Sequence, residues 1–442
     1  MTLSSPANPT KNYLLPMIII SVLFFMFGFV TWLNGILIPY LQIACELSDF
    51  QALFVAFAYY IAYSVMALPS AWVLKKTGLK NGMTLGLFII AVGTLIFLPA
   101  AYSRTYWVFL MGLFVMGTGL AILQTASNPY ITIIGPRESA ARRISILGVC
   151  NKLAGAVAPL ILAYYILNDG DAVVKSMEGL DTAARSIALD SLALRVVNPY
   201  IVMTIVLILM GVGVRFSPLP EIEKEQDESL NRRLEKGKTS IFAFPHLVLG
   251  VIAMFFYVGA EVIAGDTIIR YGLSLGIKMD LAKSFTSYTM VTMVFGYILG
   301  ISLIPRFIDQ RKALLISAIL GLVFTLGAVS TSGFASIIFV ALFGLSNAIV
   351  WPAIWPLALH NLGGFINKGS ALLIMAISGG ALLPLLWGRL SDVYSSQQAY
   401  WIMIPSYLII LFYSLRGYKL TSWRWKAEYF DDKKEFVYRT EE

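Results

Sequence analysis

The chain has 442 residues, of which 58% are hydrophobic, 13% aromatic and only 13% charged, whereas an ordinary soluble domain is about a quarter charged. That composition excludes a soluble enzyme or binding module and describes a polytopic membrane protein. The formal net charge of +8 does not indicate a nucleic-acid partner, because the lysines and arginines cluster in short loops between apolar runs, where they bear on orientation against anionic lipid.

The first residues, MTLSSPANPTKNYLLP, contain no small-residue cleavage site and precede a run too long for a signal-peptide core. The first apolar run is therefore expected to stay as a spanning helix. Runs near the length needed to cross a bilayer as a helix, about 20 residues, fall at approximately 13–40, 50–74, 81–101, 107–134, 144–167, 197–217, 244–269, 283–304, 312–331, 335–360, 370–391 and 398–416. They are long, continuous and rich in Leu, Ile, Phe, Gly and Ala, without the alternation of β-barrel strands, so helices must carry them. The expected fold is an all-α membrane protein of twelve transmembrane helices, here numbered as spans in chain order. Between the sixth and seventh spans lies PEIEKEQDESLNRRLEKGKTS, Pro220 to Ser240, a charged segment with no apolar face and hence a solvated linker. It divides the chain into an N-terminal six-helix half at 1–217, a cytoplasmic linker at 218–243 and a C-terminal six-helix half with a cytoplasmic tail at 244–442.

Short loops set the expected orientation. Lys75, Lys76 and Lys80 follow the second span, Arg137, Arg142 and Arg143 the fourth, Arg306, Arg311 and Lys312 the eighth, and Arg416, Lys419, Arg424 and Lys426 the twelfth. The loops after spans one, nine and eleven have no Lys or Arg, which predicts that both termini and the linker are cytoplasmic. The long segment Asn168 to Val196 mixes both signs of charge and weighs little. The halves also resemble each other: LAGAVAPLI from Leu153 and SGGALLPLL from Ser378 place Gly155 and Pro159 opposite Gly380 and Pro384. Small residues permit close helix approach, and duplicated halves around a midplane site are the plan of a secondary transporter.

Polar groups recur at four-residue spacing, which puts them on one helix face a turn apart. The fourth span has Gln124 and Asn128, the seventh Tyr257 and Glu261, and the tenth Asn347, Trp351 and Trp355, while the first adds Trp32 and Asn34 and the fifth adds Asn151 beside Lys152. Amides and a carboxylate match hydroxyls, and aromatic faces suit the apolar faces of a pyranose ring, so the set describes a site for a neutral, hydroxyl-rich solute. Each residue also has a simpler reading, tryptophan as packing or interface anchor and amide as a tie between helices. An ionisable group at membrane depth is costly and usually turned toward a cavity or pathway, which marks Glu261. Asp266 lies about a turn further out, rotated roughly 140° away, with the plainer expectation of reaching interfacial water or Arg270. Lys152 needs a partner or a snorkelling route, and an ion pair with Glu261 across the halves is one hypothesis for it. Cys45 and Cys150 have neither metal-ligand nor disulfide spacing.

Several stretches taken in order, FFMFGFVTWLNGILIPYLQ from Phe24, ELSDFQALFVAFAYYIAYSVMALP from Glu46, ILQTASNPYITIIGP from Ile122, FFYVGAEV from Phe255 and GGALLPLLWGRLSD from Gly379, resemble the fucose permease family of the major facilitator superfamily. The resemblance covers nearly the whole chain, and ASNPY and GAEV are most similar to the glucose and galactose branch. It implies a sugar:cation symporter of a bacterial inner membrane, two six-helix halves rocking about a central sugar site, and Asn151 as a sugar contact. Two family carboxylates, associated with sugar binding and proton coupling, are replaced here by Gly35 and Gln124, so that proton mechanism does not carry over to these positions. Glu261, with Asp266 and Lys152, is then the expected coupling set, and a carboxylate among amide and carbonyl oxygens suits either a proton or a sodium ion near Glu261.

The sequence thus predicts a monomeric carrier importing a hexose such as glucose, galactose, mannose or fucose with Na+ or H+, without a cofactor, whose partners are the sugar and membrane lipid. The alternatives are a transporter-like sugar sensor and an exporter of another small solute. An enzyme is not expected: His246 and His360 are the only histidines, both near helix ends, with no metal spacing and no nucleophile pairing.

Overall fold

A computed structural model describes residues 14–133, 140–167, 175, 180–219, 240–304, 306–362 and 365–423. All secondary structure among them is helical, and eleven stretches are long and apolar enough to cross a membrane. One of the eleven, Asp49–Ser103, has 55 residues. At 1.5 Å per residue such a helix would be about 80 Å long, more than twice the ~30 Å hydrocarbon core. Gly78 divides it, with φ 76° and ψ 174°, a backbone conformation closed to side chains with a Cβ. The second and third spans therefore meet at Gly78, beside Lys75, Lys76 and Lys80, and the described residues form twelve spans in two six-helix halves.

The first span is Leu14–Trp32 followed by Asn34–Ala44, the fourth Tyr106–Ile133, the fifth Ala140–Ile166 and the sixth Val197–Phe216. In the second half the seventh span is Pro245–Asp266, the eighth Phe285–Leu303 and the ninth Gln310–Ser330. The tenth is broken into Gly333–Asn347 and Val350–Leu359, the eleventh into Ile366–Met375 and Gly379–Val393, and the twelfth is Met403–Leu415. The starts follow local chemistry. Ser48 and Gln51 form a reciprocal capping box before the second span, Asp309 accepts from the Lys312 amide at 2.7 Å before the ninth, and Pro245 opens the seventh at a position that needs no amide proton. The mixed-charge segment before the sixth span holds a feature that charge counting missed, the helix Thr182–Leu194, capped by Asp181. It is tied over the first half by Tyr40 Oη, which donates to Leu192 O at 2.8 Å, and by the pairs Arg104–Asp190 and Arg185–Glu46.

The internal likeness of the halves is visible in their packing. A Cβ on Gly28 would strike the backbone carbonyl of Asn151, and one on Gly379 would strike that of Phe255. The first and fifth spans, and equally the seventh and eleventh, therefore touch backbone to backbone. Gly155 lies against the Trp32 ring and Gly380 against Val262, as the matched positions of the two glycine motifs require.

Polar ties between the halves concentrate at the end opposite the basic loops. Arg270 Nη2 meets Asp49 Oδ1 at 2.5 Å, and its Nη1 donates to Asp49 O at 3.0 Å. The Phe50 amide donates to Asp392 Oδ2 at 3.2 Å, and Ser391 Oγ to Asp49 Oδ2 at 3.4 Å. Burial lowers the pKa of the Arg270 guanidinium, with Asp49 acting against the shift. At the basic end, Lys80 donates to Ser217 O within the first half and Gln310 to Pro352 O within the second. The halves are thus sealed together at the end away from the basic loops.

Candidate functional site

At mid-depth one charged pair joins the halves. Lys152 on the fifth span meets Glu261 Oε1 on the seventh at 2.6 Å, with only 9% and 10% of the two side chains exposed. The hypothesis that Lys152 finds its partner across the midline is therefore met, and snorkelling is not its role. The ammonium also lies 4.3 Å from the centroid of the Trp32 ring, a placement that offsets part of its desolvation. Trp32 is held in turn by the glycine at 155, so the first and fifth spans together fix the cation.

From this pair the predicted residues extend to both sides. On the first-half side, Trp32 Nε1 donates to Asn151 Oδ1 at 3.4 Å, and Asn151 Nδ2 to Phe24 O at 3.5 Å. Both lengths lie beyond the usual range, which leaves the amide with capacity for a ligand hydroxyl. Gln124 donates to Tyr63 Oη at 3.2 Å and joins a ring cluster of Tyr59, Tyr60 and Tyr63; Asn128, one turn on, is half-buried. On the second-half side, Tyr257, Tyr297 and Tyr407 stand in electrostatic reach of Glu261. Tyr257 packs at a tilt on Trp351, 6.5 Å between ring centroids, and Trp351 stacks on Trp355 at 5.4 Å with 20° between planes. A chain of contacts thus runs from Trp32 and Asn151 through the ion pair to Tyr257 and the two stacked tryptophans, both of which remain partly exposed.

Asn347 and Asn34 fall outside that chain. Asn347 Oδ1 accepts from Tyr407 Oη at 3.0 Å and reaches the site only through it. Asn34 is buried, and neither polar atom of its side chain has a hydrogen-bond partner. Asp266 departs most from expectation. It reaches neither interfacial water nor Arg270: it is 0% exposed, both carboxylate oxygens lack a hydrogen-bond partner, and Arg270 turns to Asp49 instead. Sequence reasoning missed the tyrosines at 59, 60 and 63 and the Asp49–Arg270 seal. Tyr59 and Tyr63 had a signal in their four-residue spacing, whereas Asp49 and Arg270 are 221 positions apart with no local pattern to join them.

A sodium ion at Oε1 of Glu261 would have to displace the Lys152 ammonium held there. Among the described residues no group of three or more His, Cys, Asp or Glu is placed to hold a metal. A separate cavity of about 280 Å³ beside Ser64, Phe255, Phe256 and Met375 is apolar and touches none of the predicted residues.

Removing the carboxamides of Asn128 and Asn151 should weaken ligand binding by about 1–3 kcal/mol, the usual loss when a buried polar group is left unpaired. Calorimetry on the purified double-alanine protein reads this directly, and wild-type affinity would remove both amides from the site.

Comparison with known proteins gives a consistent result. Residues 20–380 match the family model described as Major Facilitator Superfamily. The chain is 34% identical over 421 residues to the glucose/galactose transporter of Brucella abortus, covering 94% of this chain and 97% of the relative. It is 29% identical over 392 residues to the L-fucose-proton symporter of Escherichia coli, covering 87% and 89%. Among solved structures, it is similar to the E. coli fucose:proton symporter FucP at a TM-score of 0.69 and 27% identity, over 91% of this chain and 98% of that one.

Proposed function

The chain belongs to the Major Facilitator Superfamily, and from that membership and its charged midline we propose that it imports a monosaccharide in symport with a cation by alternating access. Membership makes it a multi-pass membrane transporter and not an enzyme. The observation that carries the sugar reading is the Lys152–Glu261 pair, set between an under-bonded amide at Asn151 and an aromatic wall at Tyr257, Trp351 and Trp355. Hydroxyls of a hexose pair with Asn128, Asn151, Gln124 and Tyr257, and its apolar face lies on the exposed part of the tryptophan stack. Relatives named for glucose, galactose and fucose transport support that substrate class, and the fucose-proton symporters support a coupling cation.

The two halves, 1–217 and 244–442, rock about this site, with the basic loops, the linker 218–243 and both termini on the cytoplasmic side of a bacterial inner membrane. The Lys152–Glu261 pair spans the moving interface, so the cycle must loosen or re-form it. The end sealed by Asp49, Arg270 and Asp392 is then the extracellular one. Counterflow in proteoliposomes, with labelled glucose, galactose, mannose and fucose against a preloaded sugar, tests the reading. Overshoot of at least one hexose is expected; no overshoot with any of them would reject it.

A further inference from the structure

Asp266 and Glu261 are the two buried carboxylates among the described residues, and they are in unlike states. Glu261 is neutralised by Lys152 at 2.6 Å. Asp266 has no donor on either oxygen and no exposed surface. A carboxylate taken out of water without a cation or a hydrogen-bond donor is strongly disfavoured in its charged form, so a buried, unpartnered carboxyl is stable only when it carries a proton.

The groups around it supply no substitute for that proton. On its own helix Glu261 is in electrostatic reach and of the same sign, and Arg270, a turn further on, is bound to Asp49. From the second span Tyr59 and Tyr60 are in electrostatic reach, and the Tyr59 hydroxyl is already paired with Thr31 at 2.9 Å. From the first span Gly35 presses on Thr286, whose hydroxyl donates to the carbonyl of Gly265 at 2.8 Å. This contact brings Asn34 to the same interface as Asp266, and the Asn34 carboxamide is 1% exposed with no partner on either atom. Asp266 is thus shut in without a partner one helical turn from the Arg270 of the seal, while Asn34 of the first half is likewise buried and unpartnered.

We propose that Asp266 is the residue that takes up the coupling proton, and that the extracellular seal closes only over its protonated form. The proposal rests on the symport reading above and names its cation. The proton comes from external water while the halves are parted at that end. It leaves to the cytoplasmic side, where Glu261 is the next carboxylate inward on the same helix. The closed form holds a proton that the water-exposed form gives up, so closure is favoured at low pH and fades as pH rises.

The test uses full-length protein in proteoliposomes, wild type and Asp266→Asn, with the hexose that gives counterflow. The amide copies the protonated carboxyl, so counterflow should stay within about threefold of wild type, while accumulation driven by an inward proton gradient should drop at least about tenfold. Sugar-induced alkalinisation of the outside medium should vanish with it, and Asp266→Glu should restore it. An Asp266→Asn variant that still alkalinises the medium and concentrates sugar overturns the proposal, as does a wild type whose accumulation follows a sodium gradient and ignores a proton gradient. A wild type that exchanges no sugar overturns the symport reading itself, a distinguishable failure. Should Asp266→Asn not assemble, spin labels placed at the exposed positions Glu46 and Lys278 of the otherwise wild-type protein, with Cys45 and Cys150 replaced, decide the matter. The closed fraction is expected to fall as pH rises, and a fraction independent of pH overturns the proposal.

Discussion

Lys152→Met should destabilise the protein by about 3–5 kcal/mol, because it leaves the Glu261 carboxylate buried without its cation. The reverse change, Glu261→Met, should cost a similar amount by stranding the ammonium, which the Trp32 face compensates only in part. Joining the two changes removes both charges at once. Replacing a buried ion pair with apolar side chains is often neutral, so the double variant should recover to within about 1 kcal/mol of wild type. Its coupling energy should approach in magnitude the sum of the two single losses, since each single variant strands a charge that the double variant removes. Thermal unfolding in detergent measures all four proteins. The recovered double variant should still fail to transport, since the pair at the moving interface is gone. Additive losses in the double variant would mean that the pair has no energetic existence of its own.

The second large effect concerns packing. Gly28→Ala and Gly379→Ala each place a methyl group against a backbone carbonyl, of Asn151 and Phe255 respectively. A helical carbonyl cannot rotate away, so the helices must part, and such overpacking commonly costs about 1–3 kcal/mol. At Gly28 the displaced segment carries Asn151 and Lys152, so affinity for sugar should fall along with stability. Gly213 supplies the control. It lies in the sixth span with nothing within 4 Å of an added Cβ, and Gly213→Ala should be neutral or stabilising by up to about 1 kcal/mol through helix propensity. Equal behaviour of Gly28→Ala and Gly213→Ala in thermal unfolding and sugar binding would contradict the close approach of the first and fifth spans.

Much of this architecture was legible because a bilayer imposes a crude rule: long apolar runs must be helices. Run lengths therefore locate the spans to within a few residues, even where Gly78 joins two of them in a single unbroken-looking stretch. The site was legible where chemistry repeats locally. Four-residue spacing exposed Tyr257 with Glu261 and Trp351 with Trp355, and the structure stacks the latter pair. What stayed hidden depends on contacts between distant parts of the chain. The cost of a buried charge shows that Lys152 needs a partner, yet it does not select Glu261 over Asp266; packing of the fifth span on the first and seventh does. Helical proximity, all that sequence offers at this point, makes Arg270 the expected partner for Asp266, four residues away. The second-span start brings Asp49 to it instead, and that choice leaves Asp266 alone. The helix Thr182–Leu194 stayed hidden because the mixed charges of its segment bear only weakly on orientation, and its apolar side shows only in the burial of Leu189, Leu192 and Ala193.

The central claim is that this chain moves a hexose against its gradient with a cation. It is tested most directly by uphill accumulation in proteoliposomes of the wild-type protein, with the sugar at equal concentration on both sides and an inward proton or sodium gradient imposed at the start. The internal sugar concentration should rise above the external one, then return to equality when an ionophore collapses the gradient. Sugar that stays at equal concentration under either gradient, or that binds to the protein without crossing the membrane, would contradict it.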